Sequence, residues 1–449
     1  MALQLALLAL TQAVLVLQVL IARRSGGALG LLLIAQAVFW TLGFVVRPAF
    51  MVIAQPTERD LLADPRLALS GYASSTTEVI GVALAGFVAY LASLAVLIRV
   101  LPDHKNHPSF DSPTRQDSRA LILLSGIVLW ATGWVGRAAL LTGAGGILQQ
   151  LQPMAVTGSV LIILGLSRRK SHNLGVLVVM LCEVLWSFSF ESKAALIIPA
   201  LALLLRWTLQ ERTSLLQKYA PLIAIGIACG FFAIQSARGI LTGEDVTAIQ
   251  GAVGGGVAVA YLVGLLQRFD GFSSVTDAVF LNGTAWQSSG EYLGRLVTNL
   301  IPKFGAEQVA TNGQIWTREV RTYSVPNQFL DVPIAAGPTA EGFAMWGVSG
   351  VIFLNAVMAL LIILLARLIQ SGNVFGVILG VSMTFNTGFF EIGLQGWTGQ
   401  LNKSIQALIV ATPFILNLWL AQGIARQQNA PSSNDDRQAA VARSSKGSS

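Results

Sequence analysis

The sequence predicts an all-α integral membrane protein of about eleven spanning helices, with one large extracytoplasmic loop containing short helices. Three observations carry this expectation. Of the 449 residues, 54% are hydrophobic and only 11% are charged, where a soluble globular domain has roughly a quarter charged. Apolar runs of about twenty residues recur, the length a helix needs to cross the hydrocarbon core. Basic residues gather in alternate loops between those runs, as positive-inside topology requires.

The first span, 3–22, has no basic residue ahead of it. It is longer than a signal-peptide core and lacks an obvious cleavage site, so it is read as a helix that stays in the membrane. Spans at 28–46, 79–98 and 120–141 follow, then 153–167, 172–190, 194–208 and 219–237. Three more, 342–366, 374–391 and 404–422, lie beyond a long polar stretch. Backbone amides in lipid must bond within their own segment, which makes each run a helix. The expected organisation is a bundle of about eight helices over 1–237, an extracytoplasmic loop over 238–341, about three helices over 342–425, and a disordered cytoplasmic tail over 426–449. Within the loop, 249–267 is apolar and glycine-rich. It is read as a helix on the membrane surface, because a twelfth span would reverse the sides of the last three.

Charge placement sets the sides. The loops carrying Arg23-Arg24, Arg99 to Arg119, Arg168 to Lys170, Arg206 to Lys218, Arg367 and the tail from Arg426 hold seventeen of the 29 Lys and Arg. They hold only six of the 22 acids. The net charge of +7 is therefore a signature of topology, and nucleic acid is not an expected partner. The amino terminus is expected outside and the carboxyl terminus in the cytoplasm.

Two spans end alike, VFWTLGFVVRPA (38–49) and VLWATGWVGRAA (128–139). Trp40, Gly43 and Arg47 share one helical face by their spacing, as do Trp130, Gly133 and Arg137. Glycine there admits a close neighbour. The arginines either snorkel to headgroups or face an anionic lipid substrate. Glu183, inside the sixth span, must stay protonated or meet a cation such as Arg137, since an unpaired carboxylate in lipid costs several kcal/mol. Glu391 is a similar case.

All three histidines, His104, His107 and His172, fall on the cytoplasmic side. The outer side therefore has no histidine base, histidine metal ligand or Ser-His triad. Cys182 and Cys229 lie inside apolar runs and offer neither a disulfide framework nor a metal set. There is no P-loop and no HExxH. Chemistry outside must use carboxylates, Arg, Lys and hydroxyls, and the loop with its borders is rich in them, interleaved with Phe269, Tyr292, Trp316 and other aromatics.

The stretch PIAAGPTAEGFAMWGVSG (333–350) resembles the signature of oligosaccharide repeat-unit polymerases, the Wzy-type proteins of O-antigen, capsule and exopolysaccharide assembly. Glu341, Phe343, Trp346, Gly347 and Gly350 occupy its motif positions. RFDGF (268–272) and IPK (301–303) resemble the Arg-containing helix and the Ile-Pro-basic element of the same outer loop. SFSFESKAALIIPAL (187–201) is similar to the short outer turn that places a basic residue before the next helix, with Lys193 where arginine is common. The resemblance covers the distal half of the chain and reaches the first four spans only through topology. No R-x10-G repeat is present.

The resemblance implies a glycosyltransferase of a bacterial inner membrane, acting in cell-envelope polysaccharide biosynthesis. It would move a glycan from a polyprenyl-pyrophosphate carrier to a sugar hydroxyl on another lipid-linked repeat unit. Arg268, Arg318 and Arg321 would hold pyrophosphate or glycan phosphate, with Arg238 and Lys303 supporting and Lys193 in the place of a phosphate-gripping arginine. Arg47 and Arg137 would line the cavity from the membrane side. Glu341 is the first candidate base and Asp331 the second; equally, Glu341 could simply cap the ninth helix, as acids favour amino-terminal turns. No metal, nucleotide or other cofactor is expected. Implied partners are the polyprenyl-pyrophosphate-linked oligosaccharide, membrane lipid, a chain-length regulator and a flippase. Two rivals stand beside this reading. An O-antigen ligase-like transferase typically carries an outer histidine, absent here. A lipid-linked glycan flippase or transporter would show repeats across the whole chain, and here the repeat covers only the first four spans.

Overall fold

The computed structural model describes residues 1–55, 64–70, 75–101, 116–143, 146–167, 169–189, 194–242, 265–266, 269–281, 283–301, 312–321, 336–385 and 389–428. Among these it is 88% helical, with no strand. The amino-terminal part comprises α1 (Ala2–Ser25), α2 (Gly27–Thr41), a π-helical turn (Leu42–Val46), α3 (Arg47–Ala54), α4 (Pro65–Ser70), α5 (Ser75–Val100), α6 (Gln116–Leu141), α7 (Pro153–Gly165), α8 (Lys170–Ser189), α9 (Ala194–Leu209) and α10 (Thr213–Thr242). Three short helices follow, α11 (Gly271–Val279), α12 (Ser289–Leu300) and α13 (Asn312–Glu319). The distal part is α14 (Pro338–Gln370), α15 (Val374–Phe385) and α16 (Leu394–Gln428).

Seven helical segments are long and apolar enough to cross a membrane: Ala2–Ser25, Gly27–Ala54, Ser75–Val100, Asp117–Leu141, Leu148–Gly165, Pro338–Gln370 and Leu394–Ala421. Four shorter apolar helices, His172–Trp186, Ile197–Leu209, Ser214–Gly230 and Val374–Phe385, fall where the remaining spans were expected. The chain is a helical multi-pass membrane protein. Of the surface helix expected at 249–267, all but residues 265–266 lies outside the described residues, as does the tail beyond Gln428.

Small residues set the closest packing. Gly126 and Gly133 on α6 lie seven residues apart, as do Gly158 and Gly165 on α7, so each pair shares a face. A Cβ at Gly133 would overlap Ala155 N, and one at Gly158 would overlap Trp130 N. The α6 and α7 backbones touch there, as in membrane interfaces built on small residues. Polar side chains join other helices. Gln18 Nε2 donates to Gln36 Oε1 at 2.9 Å, and Tyr90 Oη donates to the same oxygen at 2.6 Å. Each satisfies a group that lipid could not.

Three hydrogen bonds join pairs of segments expected on the same side. Arg367 donates to Leu101 O, Arg119 Nε to Gly165 O at 2.9 Å, and Arg206 Nη2 to Ser167 O at 2.8 Å.

α14 is not one straight rod. It starts at Pro338, four residues before the expected 342, because proline at the first position and Gly337 before it suit a helix start. Trp346 (φ −140°, ψ 19°) and Gly347 (φ 60°, ψ −144°) then break it. The chain turns back on itself: Asn355 Nδ2 donates to Thr339 Oγ1 at 3.1 Å, and a Cβ at Gly342 would lie 2.5 Å from Gly350 O. Residues 338–345 thus run back along residues 348–355. α15 (Val374–Phe385) does not fill the expected 374–391, since Phe389, Phe390 and Glu391 form a turn rather than helix.

Candidate functional site

The fold-back of α14 carries Glu341 into the protein, where it is 2% exposed. Its carboxylate does not cap its own helix, whose start at Gly337 has no side-chain cap. It points instead at the start of α16, where Gln395 N–H donates to Oε1 at 3.2 Å and Leu394 N–H adds a second bond. Gly393 makes room, since a Cβ there would overlap Glu341 Oε2. The site thus uses the donor-rich amino terminus of a neighbouring helix to face a carboxylate. Tyr292 completes it by donating its hydroxyl to Glu341 Oε1. Burial, and then the negative charge of Glu341, push the Tyr292 phenol up from its ordinary value, so it stays a donor.

α12 delivers Tyr292. Its start is fixed by a capping box in which Ser288 Oγ accepts from Glu291 N–H at 3.2 Å and Glu291 Oε2 accepts from Ser288 N–H at 3.0 Å. Trp286 N–H donates to Ala344 O at 2.9 Å, tying the preceding segment to α14. Trp286 Nε1 donates to Glu319 Oε2 at 2.8 Å, and Arg295 pairs with Glu319 at 3.1 Å. The Trp346 ring stands edge-on to Tyr292 at 5.2 Å.

Beside this centre, α11 packs on α14 and carries a chain of alternating charges. Arg47 Nη1 donates to Asp270 Oδ1 at 3.0 Å and to Phe269 O at 2.9 Å, while Nη2 donates to Ser273 Oγ at 2.8 Å. Arg321 bridges the two aspartates, Nη1 to Asp270 Oδ2 at 2.6 Å and Nε to Asp277 Oδ2 at 2.7 Å. Arg66 pairs with Asp277 at 2.5 Å and with Asp64 at 2.9 Å. Trp316 Nε1 also donates to Asp277, at 3.1 Å. Burial works against the Asp270 charge, but Arg321 and Arg47 outweigh it and hold its carboxyl below the usual range.

The second copy of the Trp-Gly-Arg motif makes a separate pair. Arg137 meets Glu183 in a bidentate contact, Nη1 to Oε1 at 3.0 Å and Nη2 to Oε2 at 2.6 Å. Trp130 Nε1 donates to Glu183 Oε1 at 3.1 Å. The guanidinium lies 4.8 Å from the Trp134 ring and 4.7 Å from the Trp186 ring. Glu183 therefore meets the cation its position in an apolar span required.

Of the residues singled out in the sequence, Glu341 centres one cluster, while Arg47 and Arg321 join in the other. Arg137 stands apart with Glu183, and Arg318 is exposed in the last turn of α13. Arg238 belongs to α10, with its side chain outside the described residues; Lys193, Arg268, Lys303 and Asp331 lie outside them altogether. Sequence reasoning missed Tyr292 as the partner of Glu341, and it missed Asp64 and Arg66. Their available signal was D-P-R at 64–66, with proline fixing a turn that Asp64 Oδ1 closes on Arg66 N–H at 3.0 Å. No family model, no curated protein and no solved structure matches the chain.

Proposed function

We propose that this chain polymerises polyprenyl-pyrophosphate-linked oligosaccharide repeat units at the outer face of a bacterial inner membrane. In this reading all eleven apolar segments span, the amino terminus is outside, and the basic ends gathered around Leu101, Gly165 and Ser167 face the cytoplasm. The polar clusters then lie at the outer end.

The observation that carries the reading is the setting of Glu341. Asp270, Asp277 and Glu183 each hold an arginine. Glu341, at the motif position, has no ion pair among the described residues and is held only by a phenol and backbone N–H groups. A buried carboxylate oriented by donors but not neutralised by a cation suits a proton acceptor. The acceptor sugar hydroxyl attacks the anomeric carbon of the donor glycan. Its proton passes to Glu341 as the new C–O bond forms, and the bond to the carrier pyrophosphate breaks. Polyprenyl pyrophosphate leaves with the electron pair. Exposed Arg318, with Arg268, Lys303, Arg238 and Lys193, supplies cations for that leaving charge. Arg47 and Arg321, engaged by Asp270, hold the wall of the site in place. Asp331 stands as the second candidate base.

The test is polymer length on purified lipid-linked repeats in detergent, where transport has no meaning. Glu341→Gln should abolish long-chain product while the protein still inserts. Unchanged chain length would remove Glu341 from the mechanism, and no polymer from the unaltered chain would remove the reaction itself.

A further inference from the structure

α12 shows three kinds of surface on one short helix. Tyr292 faces inward and is fully buried. Leu293, Val297 and Ile301 follow at four-residue steps, forming one stripe, and are 59%, 59% and 56% exposed. Gly294 and Thr298 occupy the next stripe and are also exposed. A helix on a wholly aqueous surface needs two sectors, one packed and one polar. A third, apolar and unpacked, needs another occupant.

Two neighbours identify it. Trp346, ring to ring with Tyr292, is also 6.3 Å from the Phe353 ring. Phe353, Val348 and Ile352 are 53%, 55% and 51% exposed on the long arm of α14, a candidate membrane span. Trp346 Nε1 also lies 3.5 Å from Ser289 Oγ, four residues before Leu293 on the same line of α12, so the apolar stripe runs up to the tryptophan that leads on to this exposed apolar surface. At the other end Asn402 Nδ2 donates to Ile301 O at 2.9 Å. This ties the end of α12 to α16.

We propose that α12 lies in the membrane interface, with Leu293, Val297 and Ile301 against acyl chains and Gly294 and Thr298 toward water. The occupant of the apolar stripe is bilayer lipid. Tyr292 and Leu293 are adjacent in sequence, so the hydrocarbon boundary comes within one helix thickness of Glu341. A lipid-anchored polar group arriving at this boundary would meet α12 and Tyr292 before the Glu341 carboxylate, which is 2% exposed. The placement holds whether or not the polymerisation reading does.

The test reads position and needs no turnover. Single cysteines at 293, 297, 294 and 298, in a Cys182→Ser/Cys229→Ser background, carry a small environment-sensitive fluorophore in liposomes containing brominated phosphatidylcholine. Labels at 293 and 297 should be quenched at least twofold more strongly than labels at 294 and 298. Equal, weak quenching at all four positions overturns the proposal. So does labelling blocked at 293 and 297 with cross-linking between copies, which would make the stripe a protein interface.

Discussion

Glu183→Gln removes one charge from a pair with almost no solvent contact. The Arg137 and Glu183 side chains are 1% and 2% exposed. The change leaves the guanidinium buried without its counter-charge and weakens two charge-assisted bonds, at 3.0 and 2.6 Å. The faces of Trp134 and Trp186 remain, each worth about 0.5–2 kcal/mol to a cation, but they held the arginine before the change as well. Breaking a buried pair from one side costs about 3–5 kcal/mol, and that is the expected loss. The charge-free double variant Arg137→Met/Glu183→Leu should cost less than Glu183→Gln. What remains is mainly the Trp130 indole, whose lost acceptor costs about 1–3 kcal/mol. The assay is reversible unfolding in mixed micelles with rising denaturing detergent, followed by tryptophan fluorescence and completed as a double-mutant cycle. A loss below about 1 kcal/mol for Glu183→Gln would refute the reasoning, and so would costs that simply add.

Other outcomes follow from the same geometry. Asp270 has a native carboxyl held below its unfolded value of about 4. Its contribution to stability is present above that value and is lost as pH falls through the native one. Amide exchange in residues 271–279, corrected for intrinsic rate, should accelerate on acidification in the unaltered chain and much less so in Asp270→Asn. Tyr292→Phe removes the phenolic donor from Glu341, a bond to a charged group worth about 1.5–3 kcal/mol; polymer formation should fall by about ten- to hundredfold while inserted protein stays constant on immunoblots. Gly347→Ala meets no neighbour within 4 Å, so its cost, about 1–3 kcal/mol, comes from backbone conformation alone. The same unfolding assay reads it.

The sequence made some pairings legible and hid others for physical reasons. Glu183 could be assigned a cation in advance because an apolar helix leaves it no solvent, and Arg137 lay on a nearby span. Asp270 could not be assigned to Arg47, since each stood where solvent was an adequate partner and 223 residues separate them. Glu341 was visible as a carboxylate at a helix start. Its true neighbours, Tyr292 and the start of α16, depend on the turn at Trp346 and Gly347, which periodicity does not register inside an apolar run. The small-residue seam between α6 and α7 needed only the recurrence of glycine at seven, yet drew attention at Gly133 alone.

The linkage of Arg47 to Asp270 also bears on biogenesis. Nascent chains emerge at about 5–20 residues per second, so the interval between these two residues leaving the ribosome is roughly 10–45 s. Throughout it the first arginine must rest among water and headgroups, and α11 can dock only once the earlier helices are already inserted. The α11 wall of the site is therefore assembled late, onto a scaffold waiting in place.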